Sequence, residues 1–199
     1  MKKQLAFANH KGALMLEQYL INHCAPTLAS LKTANLFNCT AENPTALQMA
    51  VSRWQALLAP KGVELLLLRE NGNRALVYVY RPDRLARDLQ QPGVAAFLAH
   101  CGYTGTAPAA CLEVLRRKLA VSSDFPHEIG LFLGYPLGDV IGFIENHGQN
   151  CLCSGVWKVY TNPEAAAGAF RKFSKCTRVY RRLFFGGQRN VEQLTVKIA

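Results

Sequence analysis

The sequence predicts an α/β or α+β fold: a single domain over residues 1–199 in which helices pack on a mixed sheet. Three observations carry the prediction. Apolar runs of strand length interleave with stretches of helical periodicity without a regular period. Asn-Pro pairs head two of the longer periodic stretches. Half of the 199 residues are hydrophobic, enough to bury one sizeable core.

The elements follow in chain order from local chemistry. His10 to His23 reads as a helix that is apolar on nearly every side, hence buried, and Cys24-Ala25-Pro26 ends it. Asn43-Pro44 supplies a cap and a first-turn proline for a helix whose Leu47, Ala50, Val51, Trp54, Leu57 and Leu58 share one stripe; Pro60-Lys61-Gly62 stops it. Val63 to Leu68 and Ala75 to Tyr80 flank Glu70-Asn71-Gly72-Asn73, the chemistry of a hairpin turn with positive φ, so they pair as antiparallel strands. Helices begin at Pro82, Pro92 and Pro108. Ile129 to Leu133 reads as a strand, Gly134-Tyr135-Pro136 as a turn, and Leu137 to about Asn146 as a helix stopped by Gly148. Val156 to Tyr160 makes another strand. Asn162-Pro163-Glu164 launches the longest helix, to Phe185, which Gly186-Gly187 ends, and Leu194, Val196 and Ile198 alternate as a final strand.

Composition bounds the setting. Seven cysteines, an odd number, and an amino terminus whose apolar stretch is broken by Gln4, Asn9, His10 and Lys11 predict reduced thiols in a cytoplasmic protein. The longest aliphatic run, Val63 to Leu68, contains Glu64 and falls far short of the ~20 residues that span a bilayer, so no membrane association is expected. The net charge of +10 is uneven. Nine of the 23 Lys and Arg lie from Lys158 onward, against only Glu164 and Glu192, so an anionic or acidic partner is expected to meet the C-terminal quarter.

The stretch Asp124 to Gly148 holds Gly130, Gly134, Gly138 and Gly142 at intervals of four, beside His127 and Glu128. Pro136 divides the glycines into a strand pair and a helix pair, where they permit close packing; the alternative is a strand-turn-helix cradle for an anion. His127 and Glu128 are neighbours, so in an extended segment they face opposite ways. Cys24 first, His127 about a hundred residues later, and Glu128, Asp139 or Asn146 as orienting group reproduce the order of a papain-like hydrolase, with Cys24 as nucleophile and His127 as base. Set against this is a buried, inert Cys24. His147, Cys151, Cys153 and Cys176 lack the paired spacing of a zinc site, and neither a metal nor a cofactor is expected. On the helix from Pro163 to Phe185, an aromatic stripe (Phe170, Phe173, Tyr180, Phe184) opposes Arg171, Lys172, Lys175, Arg178 and Arg182. That face is either solvated or anion-binding, and a nucleic acid held there would be bound through its backbone, since no base-reading motif is present.

Three blocks, HCAPTLASLKTANLF (His23 to Phe37), FPHEIGLFLGYPLGDVIGFIENHG (Phe125 to Gly148) and SGVWKVY (Ser154 to Tyr160), resemble an uncharacterised family of bacterial proteins common in Firmicutes and known as a domain of unknown function, with the signature FPHEIGxFLGYPxxDVxGFI. The resemblance covers most of the chain. It implies a bacterial, cytoplasmic single domain and no particular activity. Its blocks contain Cys24, Lys32, His127, Glu128, Tyr135 and Asp139, which makes these the site candidates. The leading expectation is a cleft for a small anionic ligand or partner, formed by the Cys24 to Lys32 loop, the His127 strand end and the Gly134 to Asp139 turn, with the anion on Lys32 and the helix N-terminus and Tyr135 as a wall. A Cys24/His127 hydrolase or acyl transferase and a nucleic-acid-associated protein are the alternatives.

Overall fold

Turn chemistry and strand composition account for the sheet. In the computed structural model, which describes residues 16–121 and 125–197, β1 (Ala34–Thr40), β2 (Glu64–Asn71) and β3 (Arg74–Tyr80) form a three-stranded sheet in the order β1-β3-β2. Both pairings are antiparallel, as is that of the small hairpin β4 (Cys153–Ser154) and β5 (Lys158–Val159). The expected mixture of helix and strand is therefore present in its α+β form, with antiparallel sheets where one of mixed direction is expected. Gly72 opens the two-residue β2–β3 loop at φ +57°, the position a type II′ turn gives to glycine. From Ala75 to Tyr80 every residue of the central strand is buried, so its run does not alternate.

The residues group into two compact units, 1–81 with 176–199, and 82–175. In the first, the helix over residues 16–28 (α1) and α2 (Pro44–Leu58) join Phe37, Val77 and Val79 of the sheet in one hydrophobic cluster. The Asn43 side chain accepts from the Ala46 N–H at 2.8 Å, and Leu47, Ala50, Val51, Trp54 and Leu58 form the buried stripe. Arg81, at the end of β3, is wholly buried. Its guanidinium donates to the carbonyls of Thr27, Leu28, Lys61 and Val196 at 2.7 to 3.2 Å, tying α1, the 3-10 turn after α2 and the C-terminal segment to the sheet.

Two expectations change in this unit. α1 runs through Cys24-Ala25-Pro26 to residue 28 instead of ending there, so the proline costs the helix one N–H donor without breaking it. Residues 10–15 of that expected helix lie outside the described residues. The final strand is absent: Asn190 and Gln193 close a reciprocal capping box that starts a short helix, α9 (Val191–Leu194), whose Val191 and Leu194 enter the same cluster, and Ile198 is not among the described residues.

The second unit is mostly helical: α3 (Pro82–Leu89), α4 (Val94–His100), α5 (Pro108–Val121), α6 (Ile129–Phe132), α7 (Leu137–Glu145) and the start of α8 (Pro163–Phe185), whose later half belongs to the first unit. Asn162 caps α8 through the Ala165 N–H. The predicted strand at Ile129 to Leu133 is helical instead. The Tyr135 N–H reaches the Gly130 carbonyl at 2.9 Å and the Gly134 N–H that of Leu131 at 3.0 Å, with Gly134 at φ +76°, so a Schellman end closes α6. The strand expected over Val156 to Tyr160 shrinks to Lys158–Val159. No described helix is long and apolar enough to cross a membrane.

Candidate functional site

The corner formed by α6, α7 and the β4–β5 hairpin encloses a cavity of about 370 Å³. Glycine makes the corner possible. A Cβ on Gly138 would lie 2.6 Å from the Thr161 side chain, and one on Gly142 would lie 2.6 Å from Tyr160 Cβ, so α7 rests directly against the segment after β5. Gly130 meets Val140 in the same way, at 2.8 Å. Packing thus explains Gly130, Gly138 and Gly142, while Gly134 serves the helix end.

Asp139, in the first turn of α7, pins the corner. Only 3% exposed, it accepts three hydrogen bonds on Oδ1, from the Tyr160 N–H (2.8 Å), the Thr161 N–H (2.9 Å) and the Thr161 hydroxyl (2.7 Å), and one on Oδ2 from the Trp157 indole (2.7 Å). Burial pushes its carboxyl up, but these donors together outweigh it and hold the group below its ordinary value. Both oxygens are therefore committed within the fold, and Asp139 sets the position of Trp157. The indole stacks on Tyr135 (centroids 4.9 Å apart) and meets the edge of Phe170 at 4.6 Å. Burial raises the Tyr135 phenol to about 12, so it stays a neutral hydroxyl, which donates to the Val156 carbonyl.

The remaining walls carry the polar groups. His127 packs edge-on to Phe143, 5.1 Å between centroids, and lines the cavity. Lys158 of β5 donates to the Gly148 carbonyl and lies 5.9 Å over the Phe143 ring. Among the described residues no carboxylate lies within ion-pair distance of it. An ammonium has three donors, and a single carbonyl uses one. The cavity thus combines aromatic walls of Tyr135, Phe143 and Trp157 with two basic side chains, its one carboxylate being occupied.

Of the residues expected from the sequence, His127, Tyr135 and Asp139 line this cavity, next to Gly134. Glu128 turns away from it and is buried against Lys118 Nζ at 2.5 Å and the Tyr103 hydroxyl at 3.3 Å; the two neighbours lie in the turn that leads into α6, not in the extended segment from which their opposite facing was expected. Neither Cys24 nor Lys32 is among the lining residues; both belong to the first unit. Lys32 is buried, its ammonium donating to the Ala34 carbonyl. Cys24 is 0% exposed inside α1 and its thiol is pushed far up by burial, with a smaller opposing pull from Lys32, so it disfavours the thiolate that a nucleophile needs. Arg171, Lys172, Lys175, Arg178 and Arg182 are all exposed on α8. Lys158 and Trp157 were not singled out by sequence reasoning, although both lie in the SGVWKVY block.

No curated protein and no solved structure matches the chain. One family model does, from residue 20 to residue 195, and it takes in all three sequence blocks in full. The chain belongs to the family described as Protein of unknown function (DUF3793).

Proposed function

We propose that the cavity between α6, α7 and the β4–β5 hairpin binds a small anion with a planar, apolar body, its charge on Lys158 and His127 and its body against Tyr135, Phe143 and Trp157. The observation that carries this reading is the Lys158 ammonium on the wall of an aromatic cavity without a carboxylate partner among the described residues. A cavity of about 370 Å³ is at the small end of ligand pockets, suited to a ring bearing a carboxylate or phosphate rather than to a cofactor. The reading replaces Lys32 with Lys158 as the anion-holding lysine. Nothing in it requires a covalent step, and the buried Cys24 argues against a thiol enzyme. Seven free cysteines accord with a reducing, cytoplasmic setting in a bacterial cell.

The chain has two tryptophans, Trp54 and Trp157, so a Trp54→Phe background leaves Trp157 as the sole indole reporter. Titration with benzoate, phenylacetate and phenyl phosphate should give a saturable change in its emission for at least one of them, with a response weakened at least tenfold for the matching neutral amide or alcohol. Lys158→Met should abolish the difference between acid and neutral analogue. Equal responses to charged and neutral compounds, or no saturation with any of the three, would remove the anion site.

A further inference from the structure

After Glu164 in its first turn, α8 carries no acidic residue. Arg171, Lys175, Arg178 and Arg182 follow at intervals of four, three and four, which places them in one row along the helix, a turn or about 5.4 Å apart. Lys172 and Arg181 flank the row. All six are exposed, and among the described residues none forms an ion pair. Like charges at these spacings repel one another and weaken the helix, an effect that a row of negative charges laid alongside would reverse. At the foot of the row Phe185 is 52% exposed, set edge-on to Phe184 at 5.1 Å, with the Arg181 guanidinium 5.8 Å from its ring centroid.

We infer that this face of α8 binds the backbone of a single-stranded nucleic acid, with phosphates on Arg171, Lys175, Arg178 and Arg182 and a base stacked on Phe185. The residues are distinct from those of the cavity, so the inference stands apart from the small-anion reading. Three of the four row residues are arginines, whose planar fork matches a phosphate. A regular row of single charges suits a regular polyanion. An exposed ring at its end adds the stacking surface that single strands use and a paired duplex does not offer its bases to. A bilayer is the poorer partner, because an interfacial helix needs a broad apolar face and Phe170, Phe173, Tyr180 and Phe184 are all partly buried, leaving Phe185 alone.

The test is fluorescence anisotropy of a labelled oligothymidylate with the full chain, from 50 to 200 mM salt. Four phosphate contacts give a log–log slope of about −2.8 for a single strand, so affinity should fall roughly fiftyfold over that range. Substituting all four row residues by Gln should flatten the slope to near zero, with the melting temperature unchanged or raised. The single change Arg178→Gln should reduce it by about 0.7, and Phe185→Ala should weaken binding at unchanged slope. Arg117→Gln, an exposed cation on α5, should leave both unchanged. Any of four results would overturn the inference: no binding at 50 mM salt, an unchanged slope in both row variants, tighter binding to duplex than to single strand, or tighter binding to phosphatidylserine vesicles than to the oligonucleotide.

Discussion

Replacing Asp139 by Asn tests whether one carboxylate holds the cavity together. The side chain keeps its shape but loses its charge, and one of its two ends becomes a donor. Oδ1 faces three donors and Oδ2 faces one, so the new NH2 does least harm when turned toward the Trp157 indole, where two donors then oppose each other. The Trp157 bond to a charged acceptor is lost, worth about 1.5–3 kcal/mol, and the three bonds on the other oxygen weaken as the acceptor becomes neutral. A total of roughly 3 kcal/mol corresponds to a fall in Tm of about 6–12 °C for a chain of this size. The pH dependence supplies the control. Because the folded carboxyl is held below its ordinary value of 3.8, its contribution is fully present above that value and is lost as pH falls through the lower folded one. Urea unfolding of wild type and Asp139→Asn at pH 7, and again in steps below pH 4, should show a gap that narrows toward acid as the wild-type group takes up its proton. A gap under about 1 kcal/mol at pH 7, or one of constant size down to acid, would refute the assignment of Asp139 as an ionised clamp.

Three further outcomes follow from the geometry. Under native conditions iodoacetamide should modify Cys24 at least a hundredfold more slowly than a free thiol, while the half-buried Cys151 and Cys153 react first; peptide mapping by mass spectrometry reads the order. Gly142→Ala, which sets a methyl 2.6 Å from Tyr160, should destabilise by roughly 1–3 kcal/mol in spite of better helix propensity, whereas Gly168→Ala in α8, with open space at its Cβ, should stabilise by about 0.5–1 kcal/mol, both read from urea midpoints. Arg81→Met should cost about 3–5 kcal/mol by removing the donors to four carbonyls, and hydrogen exchange should then quicken in α1 and α9 together.

What could be read from the sequence was what neighbours in the chain decide. Asn43-Pro44 and Asn162-Pro163 announced their helices because a cap acts within three residues, and the Asn71-Gly72 turn announced its hairpin for the same reason. Ile129 to Leu133 misled because a short apolar run has the same appearance in a strand and in a buried turn of helix; a glycine end and contact with Val140 settle it. The capping box of Asn190 and Gln193 was a local signal that the alternation of Leu194, Val196 and Ile198 masked. Of the candidate site, His127, Tyr135 and Asp139 were accessible through a single segment, whereas Lys158 acquires its meaning only when the chain folds back to bring it over Phe143 and onto the Gly148 carbonyl. Cys24 looked available because Pro26 suggested a helix break, and the helix instead carries it into the core.

The close approach of α7 to the segment after β5 also constrains how relatives of this chain can vary. Because a methyl on Gly142 would lie 2.6 Å from the Tyr160 side chain, and one on Gly138 equally near that of Thr161, the sizes of the paired positions behave as one variable. A homologue that gains a side chain at position 142 or 138 must shrink or shift its partner at 160 or 161. Substitutions there should therefore arrive in pairs, leaving a covariation signal that marks the packing of α7 beside the cavity without any knowledge of the ligand.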